Sequence, residues 1–246
     1  MAGLSGNLGV AHAAARPYRV SLIGDSFDGE VWRTGVRVEM DEGWKTYWRM
    51  PGEAGIPPQF TWTASPGTGP IEVSFPVPGR FQDASGETVG YKHEVVFPVT
   101  VRPGSASMVK LGLDLFLAVC KDICIPAQAQ AAIELGSASH DPKGSVRVET
   151  WLAKLPTLAG IVTSVSYAMD DAGRPQLLLA LGATVDDIFA ETATPAYFRA
   201  PEFSGDGRLA RMVADNVKDF SALRGTELKL TFKRGDAGLE QTLMLP

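Results

Sequence analysis

Two cysteines, Cys120 and Cys124, stand with Lys121, Asp122 and Ile123 between them, and no other cysteine occurs in the chain. Two thiols this close have three possible uses. They can cycle between dithiol and disulfide, form a static cross-link, or hold a soft Cu(I) ion with help from a nearby Met or His. A disulfide needs its Cα atoms within about 7 Å, whereas residues four apart on a straight strand lie about 13 Å apart. A bonded pair therefore requires the chain to turn between the cysteines. Lys121 and Asp122 suit such a turn, and Pro126 delays ladder pairing until Ala127, so the pair is expected at a sheet edge within reach of a partner. A ring this short removes only about 2 kcal/mol of entropy from the unfolded chain, which makes a weak staple but a workable switch.

Few other residues offer chemistry. Lys121 would favour a thiolate and Asp122 would oppose it. Tyr47 and Trp48 are candidates for an aromatic wall beside the cysteines, although on an alternating strand one of the two must face the core. His12, His93 and His140 are far apart in sequence. No catalytic dyad, metal site or cofactor is therefore expected. With 23 basic and 28 acidic residues, a net charge of -5 and no cluster of Lys and Arg, nucleic acid is excluded as a partner. No apolar run approaches the roughly 20 residues of a membrane-spanning helix.

The elements that must hold the cysteines read as strands. Apolar residues alternate through Val36-x-Val38-x-Met40 and Leu111-x-Leu113-x-Leu115-x-Leu117, the pattern of strands with one buried face. Turn residues recur between them at Asp41-Glu42-Gly43, Met50-Pro51-Gly52, Ser65-Pro66-Gly67, Pro78-Gly79 and Pro103-Gly104. Many short strands with regular turns predict a sandwich. The expected organisation is a residual signal or tail over 1–15, with Ala11-His12-Ala13 spaced like a signal-peptidase site, then a first domain over 16–136. A Gly-, Ser- and Pro-containing linker over 137–146 and a second, smaller β-sandwich over 147–246 follow. The second part is expected to open with a short helix over 148–155, ended by Pro156. Strands are then expected around 161–167, 176–181, 196–199, 208–213 and 227–233.

The run Gly43-Trp-Lys-Thr-Tyr-Trp-Arg-Met-Pro-Gly-Glu-Ala-Gly-Ile-Pro-Pro58, then Phe60-Thr-Trp62, then Val119-Cys-Lys-Asp-Ile-Cys-Ile-Pro126 resembles the N-terminal periplasmic region of DsbD- and ScsB-type thiol:disulfide interchange proteins. The resemblance covers about residues 18–136. It implies an immunoglobulin-like redox domain in the periplasm that takes electrons from a thioredoxin-like donor domain, fed by a membrane-embedded reductase section. The domain would pass them to periplasmic thioredoxin-fold proteins of the DsbC/ScsC kind. By the same analogy Cys124 is the partner-facing nucleophile and Cys120 the resolving cysteine. The stretch from Phe81 to Tyr91 matches in position a cap loop over the disulfide, with Phe81 or Tyr91 as its lid. Three residues between the cysteines favour the ScsB-like branch, in which a second β-sandwich also occurs. The membrane section is expected either beyond Pro246 in a longer chain or in a separate subunit. The competing expectation is a non-enzymatic β-sandwich that binds a protein or copper and uses the cysteines structurally.

Overall fold

The computed structural model describes residues 16–246 apart from 54, 84–85, 106–107, 137–140, 194–195 and 222. The expected tail over 1–15 lies outside the described residues. The first half contributes ten strands: β1 (Tyr18–Phe27), β2 (Trp32–Met40), β3 (Lys45–Gly52), β4 (Gln59–Ala64), β5 (Ile71–Val73), β6 (Gly79–Asp83), β7 (Gly86–Lys92), β8 (Glu94–Val101), β9 (Val109–Cys120) and β10 (Cys124–Leu135). They form two sheets, one ordered β1-β2-β8-β5 and the other β10-β9-β3-β7-β6, with β4 also pairing β9. The inner faces bury Val36, Val38, Trp48, Phe97, Val99, Leu113, Leu115 and Leu117 in one core. This is an immunoglobulin-like β-sandwich.

The alternation in β9 is the clearest case of sequence dictating placement. Leu111, Leu113, Leu115 and Leu117 are buried, while Gly112, Asp114 and Phe116 between them are partly exposed. On the outer face Asp114 accepts hydrogen bonds from Gln128 Nε2 and Gln130 Nε2 of β10, each at 3.2 Å.

The one α-helix among the described residues, α1 (Pro142–Leu152), follows, with Asp141 as its N-cap and Pro142 in the first turn. The helix therefore begins inside the stretch expected to be linker and before the expected start at 148. An Asp-Pro pair makes a good helix start, and this signal outweighs the Ser and Gly content that suggested a linker. Val148 is buried against Gly35 of β2, and Trp151 packs edge-on against Tyr91 at 6.5 Å between ring centroids. Arg147 reaches Glu94 of β8. The helix thus covers the first sandwich.

The remaining strands are β11 (Thr157–Leu158), β12 (Val162–Met169), β13 (Pro175–Leu181), β14 (Asp187–Thr192), β15 (Tyr197–Phe198), β16 (Glu202–Phe203), β17 (Leu209–Asp215), β18 (Glu227–Arg234) and β19 (Ala237–Met244). They form a second sandwich from sheets β11-β19-β18-β14 and β12-β13-β17-β15, with β16 on β17. Its core gathers Leu177, Leu179, Ile188, Met212, Leu228, Leu230 and Phe232. β14 and β19 carry no clear sequence pattern. In β14 the reason is visible, since Ile188 and Ala190 enter the second core whereas Phe189 between them enters the first, at 5.6 Å from Trp48. A strand buried on both faces does not alternate.

Candidate redox site

β9 and β10 form a long hairpin in which Cys120 and Cys124 face each other as the last pair before the turn. Their Cα atoms are 4.2 Å apart and the sulfurs are joined in a disulfide. Lys121, Asp122 and Ile123 make the reversal, the first two as expected. The two cysteines differ in access. Cys120 is 2% exposed, whereas Cys124 is exposed at the start of the edge strand. Ile123, in the turn beside Cys124, is 74% exposed, whereas Ile125 pairs with Val119 and points to the other face of the sheet.

Tyr47 is the residue that meets both sulfurs. β3 pairs with β9 so that Lys45 faces Cys120 and Thr46 faces Val119, which sets Tyr47 on the outer face of the sheet with the cysteines. Its hydroxyl donates to Cys120 Sγ at 3.0 Å and stands 3.2 Å from Cys124 Sγ. Tyr47, Ala118 and Cys120 form a small buried cluster of their own. The Pro51–Pro57 loop roofs this cluster. A methyl group placed on Gly55 would meet the Cβ of Pro51 and would come within 2.7 Å of Tyr47 Cδ1. The loop lies within the motif that carries the family resemblance, where Glu53 suggests only a solvated acid.

Trp48, one residue on, points the other way into the first core, so only one member of the Tyr47 and Trp48 pair reaches the cysteines. Lys121 is drawn aside. Its ammonium donates to the Glu42 carbonyl at 3.3 Å, and its aliphatic stem lies against Gly43, which adopts φ +83 in the β2–β3 turn. Asp122 is exposed in the turn. The expected cap from Phe81 to Tyr91 is the β6–β7 hairpin, whose tip at 84–85 lies outside the described residues. Tyr91 is not a lid. It is 5% exposed, donates to the Pro76 carbonyl at 2.8 Å and packs edge-on against Phe97. A buried aromatic with a satisfied hydroxyl belongs to the core. Phe81 pairs with Thr88 on the outer face, where Lys92 Nζ stands 4.4 Å from its ring centre.

No group of three or more His, Cys, Asp or Glu side chains able to hold a metal ion occurs among the described residues. What the arrangement offers is a disulfide with one open and one buried sulfur and a phenol hydroxyl at both. That set needs only a thiol partner to react.

Residues 21–135 match the family described as the N-terminal part of thiol:disulfide interchange protein DsbD. The fold is similar to the crystal structure of the N-terminal periplasmic domain of ScsB from Proteus mirabilis, with a TM-score of 0.70 and 21% identity, over 93% of this chain and 91% of that one. No curated protein matches the sequence. The first sandwich, with its Cys120–Cys124 disulfide, is thus similar to the DsbD N-terminal family over nearly its whole length, and the chain shares the fold of the ScsB domain.

Proposed function

We propose that this chain is a periplasmic electron relay, a protein-disulfide reductase module that reduces thioredoxin-fold partners through the Cys120 and Cys124 pair. The observation that supports it best is the asymmetry of the two sulfurs, with Cys124 exposed and Cys120 buried beneath Tyr47.

In the reduced protein the Cys124 thiolate attacks one sulfur of the partner's disulfide. The Cys124–partner bond forms as the partner's own S–S bond breaks, and the partner's second sulfur leaves as a thiolate. Cys120 then gives up its proton to solvent and attacks Cys124 Sγ. The Cys120–Cys124 bond forms, the mixed disulfide breaks, and the partner leaves as a dithiol after taking up protons. Two electrons pass to the partner. A thioredoxin-like donor domain, supplied by a membrane reductase section in the same or a separate chain, restores the dithiol by the reverse steps. The exposed Ile123 beside Cys124 offers a thioredoxin-fold partner an apolar contact at the site.

We read the chain as two domains, with the redox chemistry in the first, α1 attached to it, and the second serving to support it. The deciding experiment equilibrates the pair with glutathione and then mixes reduced protein with oxidised periplasmic thioredoxin-fold proteins of the DsbC/ScsC kind. A potential near the roughly -180 to -270 mV of thioredoxin-type catalysts, with transfer abolished in Cys120→Ala and Cys124→Ala, is the expected result. A bond that resists reduction below about -300 mV, or transfer to no such protein, would leave a structural disulfide in a binding module.

A further inference from the structure

The loop that follows β3 is fixed where it starts. Gly52 pairs with Thr88 of β7 and adopts φ +93, and a methyl group on it would lie 2.6 Å from the Glu87 carbonyl oxygen. The Glu53 amide donates to that same oxygen at 3.3 Å. Pro51 before these contacts, and Pro57 and Pro58 after them, have their φ locked by the pyrrolidine ring.

Gly55 closes the loop back onto Pro51 and Tyr47. A methyl group on Gly55 would stand 2.3 Å from Pro51 Cβ, 2.7 Å from Tyr47 Cδ1 and 2.9 Å from Tyr47 Cε1, all of them overlaps. The φ of Gly55 lies outside the left-handed region, so space rather than backbone conformation demands a glycine here. At the far end of the same ring the hydroxyl stands 3.0 Å from Cys120 Sγ and 3.2 Å from Cys124 Sγ. The reverse side of the loop faces a cleft of about 540 Å³ that Met50, Pro51 and Pro57 share with Phe189, Tyr197 and Phe198. A side chain at Gly55 therefore has two outlets, retreat of the loop into the cleft or rotation of the Tyr47 ring. The contacts of Gly52 and Glu53 and the proline rings hold the loop, which leaves the ring to move.

We propose that Gly55, wedged against Pro51, is a positioning residue for the disulfide chemistry, its missing side chain being what lets the Tyr47 hydroxyl reach both sulfurs. A larger residue turns the ring and takes the hydroxyl out of hydrogen-bond range. This role rests on the redox reading given above.

Reduction by dithiothreitol reports it. A thiolate of the reagent attacks Cys124 Sγ, the Cys120–Cys124 bond breaks, and Cys120 leaves as a thiolate that the phenol hydroxyl stabilises. The reagent's second thiol gives its proton to solvent and displaces Cys124, closing the reagent's own disulfide, so that two electrons pass to the protein. The reaction is followed at neutral pH, quenched with acid and scored by alkylation and mass.

Gly55→Ala is expected to slow reduction about tenfold, the loss expected of one hydrogen bond to an ionised acceptor. In a Tyr47→Phe background it should slow the reaction no further, because both substitutions act through one hydroxyl. In Cys124→Ser, ultraviolet absorbance follows ionisation of the Cys120 thiol, and adding Gly55→Ala should raise the midpoint by about one pH unit, as should adding Tyr47→Phe. If Gly55→Ala does not fold, Pro51→Gly frees the other side of the same contact. A slowing of about threefold is expected from it, again absent without the Tyr47 hydroxyl. A folded Gly55→Ala that reacts at the wild-type rate would overturn the proposal, since the loop would then have yielded into the cleft. Equal slowing by Gly55→Ala with and without the Tyr47 hydroxyl would overturn it as well. Transfer from the wild-type protein to a thioredoxin-fold partner is scored separately. Its failure alongside the expected dithiothreitol rates would overturn the relay and leave the role of Gly55 standing.

Discussion

The hydroxyl of Tyr47 donates to the sulfur of Cys120 at 3.0 Å, although 73 positions separate the two residues. Pairing of β3 with β9 brings them together, and the Pro51–Pro57 loop keeps water from the tyrosine ring. When a thiol attacks Cys124, Cys120 leaves with negative charge. A hydrogen bond to an ionised acceptor is roughly twice as strong as one to a neutral acceptor, so this hydroxyl stabilises the departing thiolate more than the intact disulfide.

Tyr47→Phe is therefore expected to slow reduction of the disulfide by dithiothreitol about tenfold, the kinetic equivalent of roughly 1.4 kcal/mol. The urea midpoint of the oxidised protein should move little, because the neutral sulfurs are weak acceptors. An unchanged rate would remove Tyr47 from the chemistry.

The difference in exposure between the sulfurs predicts which cysteine captures a partner. In Cys120→Ser the remaining Cys124 should accumulate a mixed disulfide with an oxidised thioredoxin-fold protein, whereas Cys124→Ser should accumulate at least about tenfold less. Non-reducing gel shifts measure both. Equal trapping by the two variants would show that Cys120 becomes accessible in the reduced state.

Leu115 is fully buried between the sheets of the first sandwich. Leu115→Ala should cost about 2–5 kcal/mol of stability, read from the urea midpoint. The redox potential of the folded variant should be unchanged, since the substitution lies on the face of β9 away from the sulfurs. A shifted potential would mean that the core and the hairpin end are mechanically coupled.

Helix α1 is held to β8 by charge as well as packing. Burial raises the Glu94 carboxyl, but hydrogen bonds from Arg147 and Arg37 outweigh it and hold the group below its ordinary value of 4.5. A carboxylate depressed in the folded state stabilises the fold above its unfolded value, and that stability is lost as pH falls through the folded one. Glu94→Gln should therefore be less stable than wild type at pH 7, with the gap closing below about pH 4. Urea midpoints across pH 3–7 check this. A constant gap would assign the loss to packing rather than to ionisation.

Local patterns in the chain carried much of this architecture. The leucines of β9 alternate because one face of that strand is buried, and turn residues separate it from its neighbours. The hairpin at Lys121 and Asp122 was legible from covalent geometry, since a disulfide across three residues demands a reversal. β14 was not legible, because Ile188 and Phe189 enter different cores and produce no period. The helix start at Pro142 was hidden by its Ser- and Gly-containing surroundings, and Tyr91 was indistinguishable in sequence from a lid residue.

Two thiols at this spacing can be joined only across a turn, and alternation and turns are local properties of a chain, so the cysteine hairpin and a β-sandwich could be read from the residues alone. Which cysteine is open, which of Tyr47 and Trp48 faces it, and that Arg80 and Glu87 reach the second sandwich emerged from the folded arrangement. Those outcomes depend on strand register and on the docking of two cores. One residue of slip would turn every side chain to the other face, and no local pattern records which register the folded chain selects.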